Sequence, residues 1–383
     1  FITDKGAAKY ELVENYRSCK SVIALANAFA ETITDRMKTD PILSMSDNDG
    51  EVKLIRYKSG NMETAVVEDL INTYDGKSTA CILTSTNIEA LRVMGALNSR
   101  GQRAKLIQSN DGFDLYNLAE MRYFFKCIEK KLTSPIISDS LWNEAKASLE
   151  SAYSRSSALP LCMALFEDYE KSVERKYKSD LDNFIHESKL EDFYHTENGI
   201  VYVSTIHKSK GREFDSVYML LDNVKADNDE ERRKIYVGLT RAKNRLHIHY
   251  NNDVFDGFDV SGTERITENK TYSKPDEIII QLGMKDVFLG YFKDKKEFIL
   301  NLRSGMKLVP NHNGMSIQTQ NGRYEILVYS KRVKSELADL ARQGYIPYKG
   351  EIRFITAWTD KSDGQECAVV LPDIYLRKYD KRS

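Results

Sequence analysis

The stretch that decides the fold runs VYVSTIHKSKGREFDSVYMLLDN over residues 201–223 and, after a short acidic interval, EERRKIYVGLTRAKNRLHIHY over 230–250. It reads as strand, polar loop, strand, helix, strand. The apolar runs at 201–203 and 217–221 are bounded by polar loops and suit strands buried on both faces of a parallel sheet. Between them, positions 204–213 gather a threonine, a histidine, two lysines, a glycine, an arginine and a glutamate. A loop that follows a buried strand is where open α/β sheets place ligands. The next helix opens with Asp227, Asp229, Glu230 and Glu231, which suit the positive end of its dipole. It closes on Thr240-Arg241-Ala242-Lys243. That puts an arginine at an element boundary, where a guanidinium can reach a phosphate.

Working outward, residues 11–37 predict a helix with Ser18 as N-cap and Val22, Leu25, Ala26, Phe29 and Ile33 at helical spacing. Residues 39–50 hold Pro41 and an Asp-Asn-Asp-Gly turn and read as a loop. Strands at 52–57, 80–84 and 104–108 alternate with helices at 63–74 and 88–100. This alternation predicts right-handed βαβ units and an α/β fold with a parallel sheet flanked by helices. From Phe113 the pattern turns helical, first up to Ile128, then at 141–153, 159–177 and 181–193. Residues 1–129 and 197–255 therefore read as one sheet domain, with 130–196 as a small helical insertion. Residues 256–274 read as a linker. The remainder, 275–383, shows short strand-like runs at 278–282, 287–291, 315–319, 325–329, 352–356 and 368–371, with one helix near 334–342. Turns at Asn313-Gly314 and Asn321-Gly322 punctuate them, so this part reads as a β-rich, barrel-like or small α+β domain.

The bulk numbers bound the rest. A chain of 383 residues holds about two or three domains at the usual ~100–200 residues each. Its formal net charge of −1 leaves any basic surface local. Five cysteines without CxxC spacing predict reduced thiols and a cytoplasmic protein, neither a disulfide frame nor a zinc site. No run of about 18 apolar residues marks a membrane span. The chain opens at Phe1 rather than Met, and so reads as an excised piece.

Three separated stretches resemble one family. Leu12-Val13-Glu14-Asn15-Tyr16-Arg17-Ser18, with Ala26-Asn27 behind it, is similar to motif IV of superfamily 1 helicases. The run from Thr205 through His207, Lys208, Gly211 and Glu213 to Asp215 is similar to motif V. Residues 230–243 are similar to motif VI. The weaker run Leu83-Thr84-Ser85-Thr86-Asn87 falls between motifs IV and V in the expected order. The resemblance is to the UvrD/Rep/PcrA branch, covers about residues 10–250, and implies a RecA-like sheet domain. By that carry-over Arg17 and Arg241 approach the γ-phosphate of ATP, Tyr16 stacks on adenine, and Gly211 and Glu213 contact the ribose and phosphate side. Thr205 and His207, with Lys208, face single-stranded DNA. An arginine finger is worth roughly 10³–10⁵ in rate, which matches the chemistry.

The same resemblance marks what the chain lacks. No GxxxxGK[ST] stretch occurs; Asp75-Gly76-Lys77-Ser78 comes near, but Ile71 stands where the first glycine belongs, so it reads as a surface turn. The resemblance thus implies the C-terminal half of a DNA-repair-type helicase or translocase, inactive alone as an ATPase. ATP with magnesium is then completed by an N-terminal RecA-like domain that supplies the metal ligands. The insertion is shorter than the family's accessory subdomain, which bears on duplex engagement more than on single-strand translocation. Some relatives carry a small β-domain at the position of 275–383 that contacts RNA polymerase; position and β-character alone connect this one to it. Its aromatics (Phe288, Tyr291, Phe292, Tyr324, Tyr329, Phe354, Trp358) sit near Arg303, Arg323, Lys331 and Arg332, a composition that can stack single strands but more often forms core. His247 and His249 alternate with Leu246 and Ile248 and read as a half-exposed strand face, with no metal site. The competing reading of the whole is a non-catalytic helicase-like module that only binds nucleic acid or a protein.

Overall fold

The computed structural model describes residues 11–36, 38, 40–58, 60–107, 113–190 and 199–379. The chain divides into two compact units, Phe1–Ile107 with Thr196–Asp276, and Gln108–His195 with Glu277–Ser383.

The first unit carries the 201–250 stretch. Its strands are β3 (Glu51–Tyr57), β4 (Ala80–Thr84), β5 (Ala104–Leu106), β6 (Val201–Thr205), β7 (Phe214–Leu221), β8 (Ala242–Tyr250) and β9 (Thr263–Glu268). They form a seven-stranded sheet in the order β5-β6-β4-β7-β8-β3-β9, with every pairing parallel. This is the RecA-like α/β architecture. Four helices belong to it: α1 (Lys20–Ala30), α2 (Met62–Thr73), α3 (Asn87–Ser99) and α8 (Asp229–Leu239). Strands β4 and β6 are buried at every position, which is why they read as unbroken apolar runs rather than alternating ones. The N-terminal segment adds a two-stranded parallel ribbon, β1 (Glu14–Asn15) beside β2 (Leu43–Ser44).

Three readings change here. The N-cap of α1 is Cys19 without a side-chain bond; Ser18 Oγ instead donates to Ala242 O at 2.8 Å. The segment read as linker contains β9, which pairs with β3 along six residues from Val52↔Thr263 to Tyr57↔Glu268. His247 and His249 are fully buried, not half-exposed, because β8 lies inside the sheet with α2 over this face. Asp69 Oδ2 of α2 lies 2.7 Å from His247 Nδ1 and 3.0 Å from His249 Nε2. Among the described residues no group of acidic, histidine or cysteine side chains could hold a metal ion. Asp75-Gly76-Lys77-Ser78 is a turn, closed by the N–H groups of Lys77 and Ser78 donating to Asp75 Oδ1 at 2.9 Å each.

The second unit joins four helices, α4 (Ala119–Glu129), α5 (Asp139–Ala152), α6 (Leu159–Ser172) and α7 (Lys178–Glu187), to a β-rich part. The helices close on Phe124, Trp142, Phe166 and Tyr169, all but fully buried. The strands are β10 (Glu277–Gln281), β11 (Lys307–Pro310), β12 (Gly314–Thr319), β13 (Gly322–Val328), β14 (Tyr345–Thr359) and β15 (Glu366–Lys378), with α9 (Lys296–Leu300) and α10 (Lys331–Arg342). They make a six-stranded antiparallel sheet in the order β10-β15-β14-β11-β12-β13. The strand expected at 287–291 is a single bridge, Val287↔Tyr329, followed by a 3₁₀ turn at Leu289–Phe292. Of the aromatics weighed as a stacking surface, Phe292, Tyr329 and Phe354 are buried while Phe288 and Tyr324 are exposed. Arg303 is consumed internally: its guanidinium donates to Ala152 O and Leu300 O and lies 4.3 Å from the Tyr153 ring. The expected strand end at Gln108 and helix end at Phe193 lie outside the described residues.

Candidate functional site

The register of the parallel sheet separates the candidate residues into two clusters. Val201 pairs with Ala80, and Ala80 with Ser216. Thr205 therefore lies at the carboxyl ends of the strands, while Phe214 and the Glu213 before it lie at the amino ends. Residues 206–213 carry the chain from one end to the other. Arg241 also sits at the amino end, because Ala242 pairs with Phe214 at the start of β8. The loop was expected to serve a ligand at the carboxyl ends; its two halves serve opposite ends.

The amino-end cluster gathers Arg17, Glu213, Arg241 and Lys243. Arg17 Nε lies 2.7 Å from Glu213 Oε1, and Lys243 Nζ lies 4.0 Å from Glu213 Oε2. Arg241 is held at the helix end by its own neighbours, Nε donating to Val237 O at 2.9 Å and Nη1 to Arg212 O at 3.1 Å. Burial pushes the Arg241 pKa down and the Arg17 charge adds to this, with Glu213 and Tyr236 opposing. A guanidinium stays charged regardless, so the cluster sets two cations against the Glu213 carboxylate, with a third, Arg241, bonded to the carbonyl of the residue before it. Such a site favours a polyanion. Gly211 forms the turn before it at φ +85°, a conformation that L side chains reach only with strain.

Tyr16 stands apart on the β1–β2 ribbon, 73% exposed. Its hydroxyl donates to Glu14 Oε2 at 2.5 Å, which raises its pKa. Leu43 and Met45 on the paired segment are also exposed, and sequence reading took their stretch for a plain loop. Asn27 of the motif IV stretch is a clamp: its Nδ2 donates to Ile42 O at 2.8 Å and its Oδ1 accepts from Ile42 N at 3.0 Å.

The carboxyl-end cluster contains Thr205, His207 and Lys208. They line a cavity of about 650 Å³ with Ser85, Thr86, Asn87, Arg233 and Lys234, among others. Thr86 caps α3 in a capping box with Glu89, and the Asn228 side chain caps α8 by accepting from Glu231 N at 2.9 Å. Two helix starts thus meet beside Thr205. Sequence reading named Ser85–Asn87 only as a weak match and passed over Lys234 and Lys243. Their signal was present, since each lies inside a matched stretch.

A model of the UvrD-like helicase C-terminal domain matches residues 10–138 and 125–253 in two overlapping segments. Over 97 residues, 23% of this chain, the sequence is 33% identical to the ATP-dependent DNA helicase Rep of Buchnera aphidicola subsp. Schizaphis graminum (strain Sg). That match spans 13% of the relative's length. A crystal structure of the C-terminal domain of a possible DNA helicase from Lactobacillus plantarum WCFS1 aligns with 66% of this chain and 98% of its own, at 14% identity and a TM-score of 0.33. Among the described residues no helix is long and apolar enough to cross a membrane. With the family match running over more than half of its length, the chain belongs to the family of UvrD-like helicase C-terminal domains.

Proposed function

We propose that the first unit is the second motor domain of an ATP-dependent DNA helicase or translocase. It supplies Arg17 and Arg241 to the γ-phosphate of ATP, with Lys243 beside them and Tyr16 offering a stacking face for the base. Glu213 orients Arg17 until phosphate arrives, and Gly211 lets the loop turn tightly against the nucleotide. Single-stranded DNA runs along Thr205, His207 and Lys208, joined by Asn87 and Lys234. The phosphate-binding loop and the magnesium ligands come from a first RecA-like domain outside these 383 residues.

The observation that carries this reading is that Arg17 pairs with Glu213 while Arg241 bonds the carbonyl of Arg212 just before it, from two stretches more than two hundred positions apart in sequence that are joined by Cys19 N and Lys243 O. Phosphoryl transfer asks little covalent chemistry of a protein and much electrostatic stabilisation. Two guanidiniums at the amino ends of the strands, Arg17 exposed and Arg241 half-buried, answer that need. The residues present fit a nucleoside triphosphate, and when bound it supplies the phosphoryl group while this chain orients and neutralises it.

The test is Arg241→Ala in the intact parent protein. DNA-stimulated ATP turnover should fall by about 10³-fold or more, with single-strand affinity retained. An unchanged rate would sink the assignment.

A further inference from the structure

Two arginines that act on one phosphate must hold their separation, and groups belonging to neither side chain set it here. Ser18 is 1% exposed, and its Oγ donates to Ala242 O at 2.8 Å. Cys19 N donates to Lys243 O at 2.8 Å. The backbone just after Arg17 is thereby tied to the backbone just after Arg241. On the near side, Asn15 Oδ1 accepts from the N–H groups of both Arg17 and Ser18 at 2.9 Å, and Ser44 Oγ donates to Ser18 O at 2.9 Å. On the far side, Arg241 O accepts from Phe214 N at 3.0 Å, which ties in the residue after Glu213.

Helix capping does not explain Ser18, because α1 begins from Cys19 with no side-chain cap. Burial alone does not explain it either, since any small residue would fill the space. Alanine here would take away the donor that the Ala242 carbonyl receives from Ser18. We infer that Ser18 is the positioning residue that fixes Arg17 relative to Arg241, so that the two guanidiniums meet the triphosphate as one unit. The inference rests on the function proposed above. Ser18 itself touches no substrate.

The experiment is steady-state ATP turnover by the intact parent protein with single-stranded DNA, for Ser18→Ala, Ser18→Thr and the arginine variants. A misplacement of about 1 Å can cost about 10²-fold in rate, so Ser18→Ala should lower kcat by up to that factor and leave KM for ATP unchanged. Ser18→Thr, which keeps the hydroxyl, should recover most of kcat. In an Arg241→Ala background Ser18→Ala should cost little more, since residues acting as a unit are not additive. Should Ser18→Ala fail to fold, Asn15→Ala, which removes the acceptor for the Arg17 and Ser18 N–H groups, must show the same fall in kcat alone. Full kcat in Ser18→Ala, or an additive loss on top of Arg241→Ala, would overturn the inference. Arginine variants that keep their rate would instead overturn the function it rests on.

Discussion

Arg17 and Glu213 form a pair whose side chains are 41% and 32% exposed. Pairs so placed contribute at most about 1 kcal/mol to stability. The contact therefore orients the guanidinium without committing it, as the proposed function requires of a residue that later meets phosphate. Glu213→Gln should shift the unfolding free energy of this chain by less than about 1 kcal/mol, read by denaturant titration. A loss of several kcal/mol would make the pair a structural bolt and remove its role as a placeholder. Gly211 is different, because its φ of +85° taxes any side chain. Gly211→Ala should cost about 1–2 kcal/mol, although nothing lies within 4 Å of the added methyl; an unchanged midpoint would show that the turn relaxes freely. The motif that holds both residues was legible in the sequence. Ser18 was legible as a short polar residue before a helix and was misassigned, since nothing local says that its hydroxyl is drawn to a carbonyl 224 positions away.

Strand β8 shows how an element can mislead. Its alternation of Leu246, His247, Ile248 and His249 has the period of a half-exposed strand, yet both faces are covered and the histidines bracket Asp69. Tyr57 Oη lies 2.8 Å from His249 Nδ1; with Nε2–H donating to Asp69, the neutral ring satisfies both nitrogens. Burial lowers the His249 pKa below 6.5, with Asp69 opposing. Burial works against the charge on Glu51, yet hydrogen bonds from Lys53 and Arg245 outweigh it and hold the carboxyl down to about 2. Burial likewise opposes the charge on Asp69, and both histidines hold it well below the usual carboxylate range. All three folded values lie below the unfolded ones, so the unfolded chain binds more protons and stability rises with pH. The contribution of this cluster to stability should be complete above pH 6.5 and fall as His249 becomes protonated. It should fall further as the pH drops from 4.5 towards about 2 and Glu51 is neutralised. Unfolding midpoints measured across that range check it, and a flat profile would contradict the cluster's role. Strand β9 escaped sequence reading for the opposite reason. TERITE is polar because an edge strand with a ladder on one side keeps a wet face, and that composition is shared with linkers.

For the molecule as a whole, the parallel sheet and the motif-bearing loops followed from alternating strand and helix signals, whereas the order of the strands and the second unit did not. Its helices at 119–187 and its strands from Glu277 onward belong to one compact body, though a long sequence interval parts them. Contacts such as Ser157 N donating to Ser304 O at 3.0 Å carry no local signature. The account also predicts that the 383-residue chain turns over no ATP by itself, because its sequence holds no phosphate-binding loop. Turnover by the purified chain, absent from an Arg241→Ala preparation, would contradict that division of labour.

The central claim is that Arg17 and Arg241 stabilise the phosphoryl-transfer transition state, and ligand binding by the intact parent protein tests it most directly. Affinities for ATP and for ADP with aluminium fluoride, a transition-state mimic, are measured with and without Arg241→Ala in the presence of single-stranded DNA. Interactions made only in the transition state act on the mimic and spare the ground state. The predicted result is a loss of about 10²-fold or more for the mimic with ATP affinity nearly kept. An equal loss for both ligands would contradict the claim, and would leave Arg241 as a residue that merely binds nucleotide.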